Sequence, residues 1–155
     1  MQKITKYLFE KFKLSSDSNK LKPTVTPKTT KELRNIIEKE IKESKYANLN
    51  FIDTSYIKDM SSLFDNLNVE GILIDSWDTS NVENMDYMFW ENSKFNCDIS
   101  EWNVKKVKSM RHMFDGCSSF NCDISKWEVD SLEKCRGIFD GCTSLKKIPE
   151  WSKSF

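Results

Sequence analysis

The amino-acid sequence predicts an α/β solenoid of about four 25-residue strand-helix units, preceded by an N-terminal capping helix. Trp77, Trp102 and Trp127 stand 25 residues apart, and four apolar columns repeat at the same interval. These columns are Ile57/Val82/Val107/Leu132, Met60/Met85/Met110/Cys135, Leu63/Met88/Met113/Ile138 and Phe64/Phe89/Phe114/Phe139. A unit of this length cannot bury its own apolar face, so neighbouring units are expected to stack into one continuous core. Functional residues are therefore expected on the surface of the stack.

Each unit is predicted to run strand, turn, helix, turn. In residues 97–104 the apolar residues fall at short intervals that are compatible with an extended segment. The next apolar residues shift to helical spacing, namely Val107, Met110, Met113 and Phe114. Ser80 and Asp130 stand at predicted helix N-caps, and Gly116 and Gly141 stand where a left-handed residue would end the helix.

Two segments come before the capping helix. Residues 1–14 are predicted to form an amphipathic leader helix, because their apolar residues recur at helical spacing with lysines between them. These apolar residues are Ile4, Tyr7, Leu8 and Phe12. Residues 15–28 are polar, contain Pro23 and Pro27, and are predicted to be a linker. The leader helix is expected to dock the protein on a larger assembly.

Residues 29–46 are predicted to form the capping helix. Thr29 is followed three residues later by Glu32, which is the pattern of a capping box. An apolar stripe follows, formed by Leu33, Ile36, Ile37 and Ile41. Such a helix is expected to cover the core and strand edge that the terminal unit of a stack over residues 47–155 would otherwise expose.

Charge is distributed unevenly along the chain. The first 46 residues contain twelve Lys or Arg against six Asp or Glu, whereas residues 47–155 contain twelve against eighteen. Nucleic acid is excluded as the expected partner, because phosphate binding needs a basic footprint and the unit region is acidic. No run of about 18 apolar residues is present, so no transmembrane segment is expected.

The start of the chain and the cysteine count predict an intracellular protein. Lysines interrupt the apolar residues of segment 1–14, which therefore does not match a signal peptide. The chain has five cysteines, an odd number that fits reduced thiols better than a disulfide framework.

Two consecutive units carry a resemblance to a known family. The runs FNCDISEWNVKKVKSMRHMFDGCSS and FNCDISKWEVDSLEKCRGIFDGCTS closely resemble the repeat of BspA-type leucine-rich repeat surface proteins, approximately FNxDISxWDVSNVxxMxxMFxGCxx. The resemblance covers residues 48 to 148 and implies a leucine-rich-repeat-like, parallel-strand solenoid with a protein-interaction role. Short versions with a helical leader resemble products of bacteriophages or other mobile elements. The expected location is therefore the cytoplasm of a bacterial host cell or a virion.

The unit spacing also pairs cysteines, although no metal site, catalytic residue or cofactor is predicted. Cys97 and Cys122 occupy equivalent positions, and stacked strands would bring them about 4.8 Å apart, within range of a disulfide or a shared metal. Cys117 and Cys142 are equivalent on the wider helical side. The favoured alternative is that all four are small, soft residues that fill the interior or the turns.

Aspartates form similar pairs. Asp98 with Asp123, and Asp115 with Asp140, bring two carboxylates together in a way that suits a cation or a raised pKa. The favoured alternative is that they accept backbone N–H groups in turns. His112 is the only histidine and is interpreted as a surface residue, because no serine or cysteine stands at a motif spacing from it.

The predicted function is a non-enzymatic protein-protein interaction module with two candidate binding surfaces. The strand face carries Ser76, Asp78, Glu101, Asn103, Lys126 and Glu128. The helix side carries Tyr87, Trp90, Arg111, His112 and Arg136. Composition favours the helix side, because Trp90 takes the place of an aspartate in its column and exposed aromatics anchor interfaces. Geometry favours the strand face slightly more, because leucine-rich repeats commonly bind through their concave strands.

Two other classes of function stay open. A structural or packaged accessory protein of a phage or other assembly would use the leader helix as a tether. An enzyme with an unrecognised site is the least favoured class, because the sequence offers no nucleophile, metal or phosphate motif.

Overall fold

The predicted strand-helix unit is wrong. The computed structural model describes residues 25–154 and contains one α-helix, α1 (Thr30–Glu43), and one 3-10 helix (Glu150–Ser154). Within this part of the chain there is no extended strand or sheet, and the β-type pairing consists of isolated parallel bridges. The leader helix 1–14 and most of the linker 15–28 lie outside the described residues.

The 25-residue units are built from successive turns that are bonded to the next unit. Parallel bridges join Asp59 to Asn84, Asn84 to Ser109, and Ser109 to Lys134. Each step of this ladder spans the 25-residue interval of the sequence. Another bridge joins Asn48 to Leu73 over the same interval, so consecutive units lie in register.

Left-handed residues explain why the helically spaced segments are turns. Ser62, Tyr87, His112 and Gly137 stand 25 residues apart and have φ angles of 51°, 56°, 51° and 69°. An α-helix cannot continue through a left-handed residue. The predicted C-terminal Gly116 is also left-handed, with φ 78°, but it closes a turn instead of a helix.

The hydrogen bonds of these segments also differ from those of a helix. The backbone N–H of Phe64 donates to the carbonyl of Met88 at 3.2 Å, and the N–H of Phe89 donates to Met113 at 3.0 Å. In an α-helix both N–H groups would donate four residues back in the same segment. Here their acceptors belong to the next unit, so stacking of the units provides the partners that buried backbone groups require.

Aromatic rings fill the core between the units. The phenylalanine column stacks with centroid distances of 5.0 Å between Phe64 and Phe89, 5.7 Å between Phe89 and Phe114, and 5.9 Å between Phe114 and Phe139. A second column is formed by the tryptophans, and the indole N–H of Trp102 donates to the carbonyl of Ile74 at 3.1 Å. The core therefore buries the apolar columns, and it also provides a hydrogen-bond acceptor for the indole N–H of the buried tryptophan.

Helix α1 begins with local capping chemistry and packs on residues 59–65. The hydroxyl of Thr29 accepts from the N–H of Glu32 at 3.2 Å, and the carboxylate of Glu32 accepts from Lys28 N–H at 2.7 Å. Leu33 is fully buried, and the guanidinium of Arg34 donates to backbone carbonyls of residues 63 and 65. The helix does not cap strand-helix units, because the units it contacts consist of turns.

Candidate functional site

The residues predicted for the strand face lie in exposed turns. We call this set the turn face, and its members are Ser76, Asp78, Glu101, Asn103, Lys126 and Glu128. Asp78 accepts from Ser80 N–H at 2.9 Å and Asn103 from Lys105 N–H at 3.2 Å, so both side chains are engaged in closing turns. Because the described residues form no sheet, the turn face is not the concave strand surface that favoured it as a binding site.

The residues predicted for the helix side contain a cluster of rings. We call this set the aromatic surface, and its members are Tyr87, Trp90, Arg111, His112 and Arg136. The Tyr87 ring lies parallel to the His112 ring at 5.2 Å, with an interplanar angle of 11°. Trp90 meets Tyr87 edge-on, with a centroid distance of 6.3 Å. Tyr87 is 38% exposed and Trp90 is 42% exposed, so a structured aromatic pair faces solvent.

The backbone positions this ring cluster. The N–H of Tyr87 donates to the carbonyl of Arg111 at 2.8 Å, and the N–H of His112 donates to the carbonyl of Arg136 at 3.0 Å. Both ring-bearing residues are left-handed, a conformation that costs a residue with a Cβ about 1–2 kcal/mol. The stacked units compensate for this cost, because each turn is bonded to the turn of the next unit.

An ion pair whose carboxylate is buried lies beside the rings. Asp86 is 5% exposed, and its carboxylate accepts from Arg111 Nε at 2.9 Å and Arg111 Nη2 at 2.6 Å. The Arg111 backbone N–H and the Ser109 hydroxyl bind the other carboxylate oxygen. Burial acts to raise the pKa of Asp86, but these hydrogen bonds outweigh it and hold the pKa below its usual value.

Asp86 is a site residue that was not predicted from the sequence. The sequence does place Asp86 and Arg111, which have opposite charges, at equivalent positions in adjacent units, and this spacing could have indicated their ion pair. Their pairing leaves Arg111 engaged with its own chain, although half of its side chain is exposed at the aromatic surface. Arg136, one unit further, is exposed.

The structure also brings His112 to Asp115 and Asp140, the pair of equivalent aspartates that the sequence predicted to lie together. His112 Nδ1 lies 3.0 Å from the Asp115 carboxylate. Asp140, from the next unit, adds a second carboxylate, and one ligand-type atom from each of the three lies within 4.8 Å of the others. In contrast, Asp98 and Asp123 accept backbone N–H groups from Ser100 and Ser125, as the turn interpretation predicted.

The five cysteines are free thiols. Cys117 Sγ donates to the carbonyl of Phe89 at 3.0 Å, and Cys142 Sγ donates to that of Phe114 at 3.1 Å. Burial raises the pKa of Cys142 to about 11, and it raises that of Cys122 to about 11 as well. These thiols occupy packing and turn positions, and few of them are ionised near neutral pH, so they are poor nucleophiles.

Comparison with known proteins gives a family for this chain. Residues 31–151 match the family described as Mycoplasma protein of unknown function, DUF285. The chain belongs to this family. The DUF285 match includes α1 from its second residue and the 25-residue units, so it contains both the turn face and the aromatic surface. Neither the curated proteins nor the solved structures contain a match to the chain. Among the described residues of this DUF285 protein, no helix is long and apolar enough to cross a membrane.

Proposed function

We propose that this DUF285 protein is a non-enzymatic protein-binding module and that its aromatic surface contacts the partner. The observation that supports this proposal is the exposure of Trp90, which is 42% accessible although it packs edge-on against Tyr87. Interface energy concentrates in a few aromatic and arginine side chains, each worth about 2 kcal/mol or more. The aromatic surface supplies two aromatic rings and two arginines.

Preorganisation is the second argument for the aromatic surface. Tyr87 is held between Trp90 and His112, so its ring loses little rotamer freedom when a partner binds. An immobilised side chain costs about 0.5–1.5 kcal/mol at an interface, and rings that are already packed avoid much of this cost. The Asp86 carboxylate fixes Arg111 in the same way.

The turn face is the weaker candidate. Its geometric advantage depended on a concave sheet that residues 25–154 do not form. Two of its polar side chains close turns, and Glu128 forms an ion pair with Lys105 at 2.6 Å in which both side chains are exposed. Exposed ion pairs contribute little to affinity, because solvent screens them. An open groove of about 320 Å³ does lie along this face, so it remains the comparison surface for experiments.

The resemblance of the two consecutive units to BspA-type repeats supports the same class of function. Such repeats imply protein interaction, and this chain shares their ordered sequence pattern. That resemblance and the free thiols support a location in a bacterial cell or a phage particle. An accessory role in a larger assembly is compatible with the same binding surface.

The test is crosslinking capture with the purified 155-residue chain, followed by affinity measurement on each captured protein. We expect Trp90→Ala to raise the Kd of the complex with the partner about 30-fold, which corresponds to a loss of about 2 kcal/mol of binding free energy. Tyr56→Ala is the matched control, because Tyr56 is also an exposed aromatic residue, 57% accessible, outside the aromatic surface. This control is expected to leave the Kd unchanged.

Two further variants separate the alternatives. The double change Glu101→Ala with Glu128→Ala removes charge from the turn face and is expected to leave binding intact. If this double change abolishes binding while Trp90→Ala has no effect, the aromatic surface is not the site. If only deletion of residues 1–20 abolishes capture, the leader is the binding element and the units are a scaffold, which also contradicts the proposal.

A further inference from the structure

We propose that His112, Asp115 and Asp140 form a binding site for a divalent first-row metal ion, with Zn²⁺ as the representative. The donors are one imidazole nitrogen and two carboxylate oxygens, one from each residue, and all three lie within 4.8 Å of one another. Imidazole and carboxylate ligands bind Zn²⁺ at about 2.0–2.2 Å. Two ligands of one tetrahedral ion therefore lie about 3.3–3.6 Å apart, so binding requires the three donors, which lie within 4.8 Å of one another, to draw together by side-chain rotation.

The histidine of this site is held in place before a metal binds. Its ring lies parallel to Tyr87 at 5.2 Å. Gly137 of the next unit lies against the same imidazole, since a Cβ built on Gly137 would come within 2.4 Å of His112 Nδ1. A rigid imidazole loses little freedom on metal binding, and fixed ligands are what a metal site requires of the residues around it.

The second carboxylate distinguishes this cluster from a surface ion pair. His112 and Asp115 are within hydrogen-bond distance of each other, 3.0 Å, and that pair is complete without Asp140. Asp140 adds a like charge beside Asp115, and two carboxylates that share one site repel each other. A dication removes this repulsion, whereas the single histidine balances at most one of the two negative charges.

The exposure of Asp140 shows the side from which the ion would enter, and the number of protein ligands shows that one coordination position would be left open. Asp140 is exposed, whereas His112 and Asp115 are half-buried, so the cluster opens to solvent on the Asp140 side. Three protein ligands leave a fourth tetrahedral position for water or for a side chain of a bound protein. The metal site shares His112 with the aromatic surface, but it does not depend on the function proposed for that surface.

The test is calorimetric titration of the reduced full-length protein with ZnCl₂. We expect one ion per chain, at least tenfold weaker binding for Asp140→Asn, and loss of this site for His112→Gln. Asp65→Asn is the matched control, because Asp65 occupies the equivalent position two units before Asp115 and is not part of the cluster. It is expected to bind Zn²⁺ as the unmodified protein does.

The thiols are the competing ligands, and the single histidine allows them to be distinguished. Zn²⁺ at the proposed site must shift the imidazole resonances of His112 in a nitrogen-proton correlation spectrum. Binding that leaves these resonances unchanged, or that is equal in the unmodified protein and Asp140→Asn, would refute the site. Circular dichroism of each variant establishes that weaker binding does not come from unfolding. Absence of Zn²⁺ binding to the folded, unmodified chain also overturns the proposal.

Discussion

Gly137 lies directly against the imidazole of His112, and a Cβ at position 137 would stand 2.4 Å from His112 Cε1. Gly137 is also left-handed, with φ 69°. Gly137→Ala is therefore expected to lower the free energy of unfolding by more than the 1–2 kcal/mol that the conformation alone costs, about 2–3 kcal/mol in total. Urea denaturation measures this change.

A double variant separates the two causes of the Gly137 effect. Combining Gly137→Ala with His112→Ala removes the ring that the new methyl group would contact, so part of the lost stability should return relative to His112→Ala alone. The part that does not return is the left-handed strain. Equal losses in both backgrounds would show that the His112 ring does not pack on Gly137.

Phe114 lies in the middle of the phenylalanine column, between Phe89 at 5.7 Å and Phe139 at 5.9 Å. Phe114→Ala is expected to cost about 3–5 kcal/mol, because Phe114 is fully buried and its loss opens a cavity between stacked units. Phe139→Ala is the control in the same column and should cost less, because Phe139 is only partly buried. Unfolding of Phe114→Ala at the unmodified denaturant midpoint would contradict the arrangement of the core.

Asp86→Asn tests the ion pair that the buried Asp86 carboxylate forms with the half-exposed Arg111. The change removes the negative charge that accepts hydrogen bonds from the Arg111 guanidinium. We therefore expect the free energy of unfolding, measured by denaturant melts, to fall by about 1.5–3 kcal/mol. Glu83→Gln is the matched control, since Glu83 pairs with Lys108 at 2.6 Å but both side chains are exposed. The control should leave the midpoint unchanged, and an equal effect of the two changes would mean that burial of Asp86 is unimportant.

The same carboxylate predicts how stability depends on pH. The pKa of Asp86 is lower in the folded protein than its usual value, which is about 3.9 in an unfolded chain. The ionised Asp86 carboxylate therefore contributes fully to the free energy of unfolding above the unfolded pKa. This contribution is lost as the pH falls through the folded pKa. Unfolding free energies measured between pH 6 and pH 2.5 should decrease towards acid, and more weakly in Asp86→Asn. Identical pH profiles for the two proteins would assign the acid sensitivity to other carboxylates.

Thiol reactivity tests the packing of the cysteines. Burial raises the pKa values of Cys122 and Cys142 to about 11, so few thiolates are present at pH 8. Native protein should react with iodoacetamide much more slowly than guanidinium-unfolded protein at the same pH. Mass spectrometry of the labelled peptides identifies the sites, and rapid native labelling of the fully buried Cys117 would show that its packing is wrong.

Burial and turn closure follow from the sequence, because they depend on residue type and local spacing. The phenylalanines and tryptophans of the 25-residue columns are apolar whatever backbone carries them, and Phe114 and Trp102 are buried as their pattern indicates. Asp98 closes a turn by binding a backbone N–H two residues ahead, which is local chemistry. Thr29 and Glu32 mark the start of α1 for the same reason.

The strand-helix assignment failed because apolar spacing does not identify the acceptors of backbone hydrogen bonds. Intervals of three and four residues suit a helix, but they also suit consecutive turns that face one core. Phe89 N–H donates to Met113 of the next unit, and this acceptor exists only when the units are stacked. Tyr87 and His112 are left-handed within such turns, which helix propensity does not predict for tyrosine or histidine.

Residue polarity and neighbours a few positions away are enough to set which residues form the core, where α1 begins and which side chains close local turns. Contacts between stacked units are needed to make the units ladders of turns, to bury Asp86 against Arg111, and to place Asp140 beside His112 as well as Asp115. Each of these contacts joins atoms of adjacent units. Their geometry depends on the left-handed turns and on the stacking that supplies hydrogen-bond partners across the unit boundary.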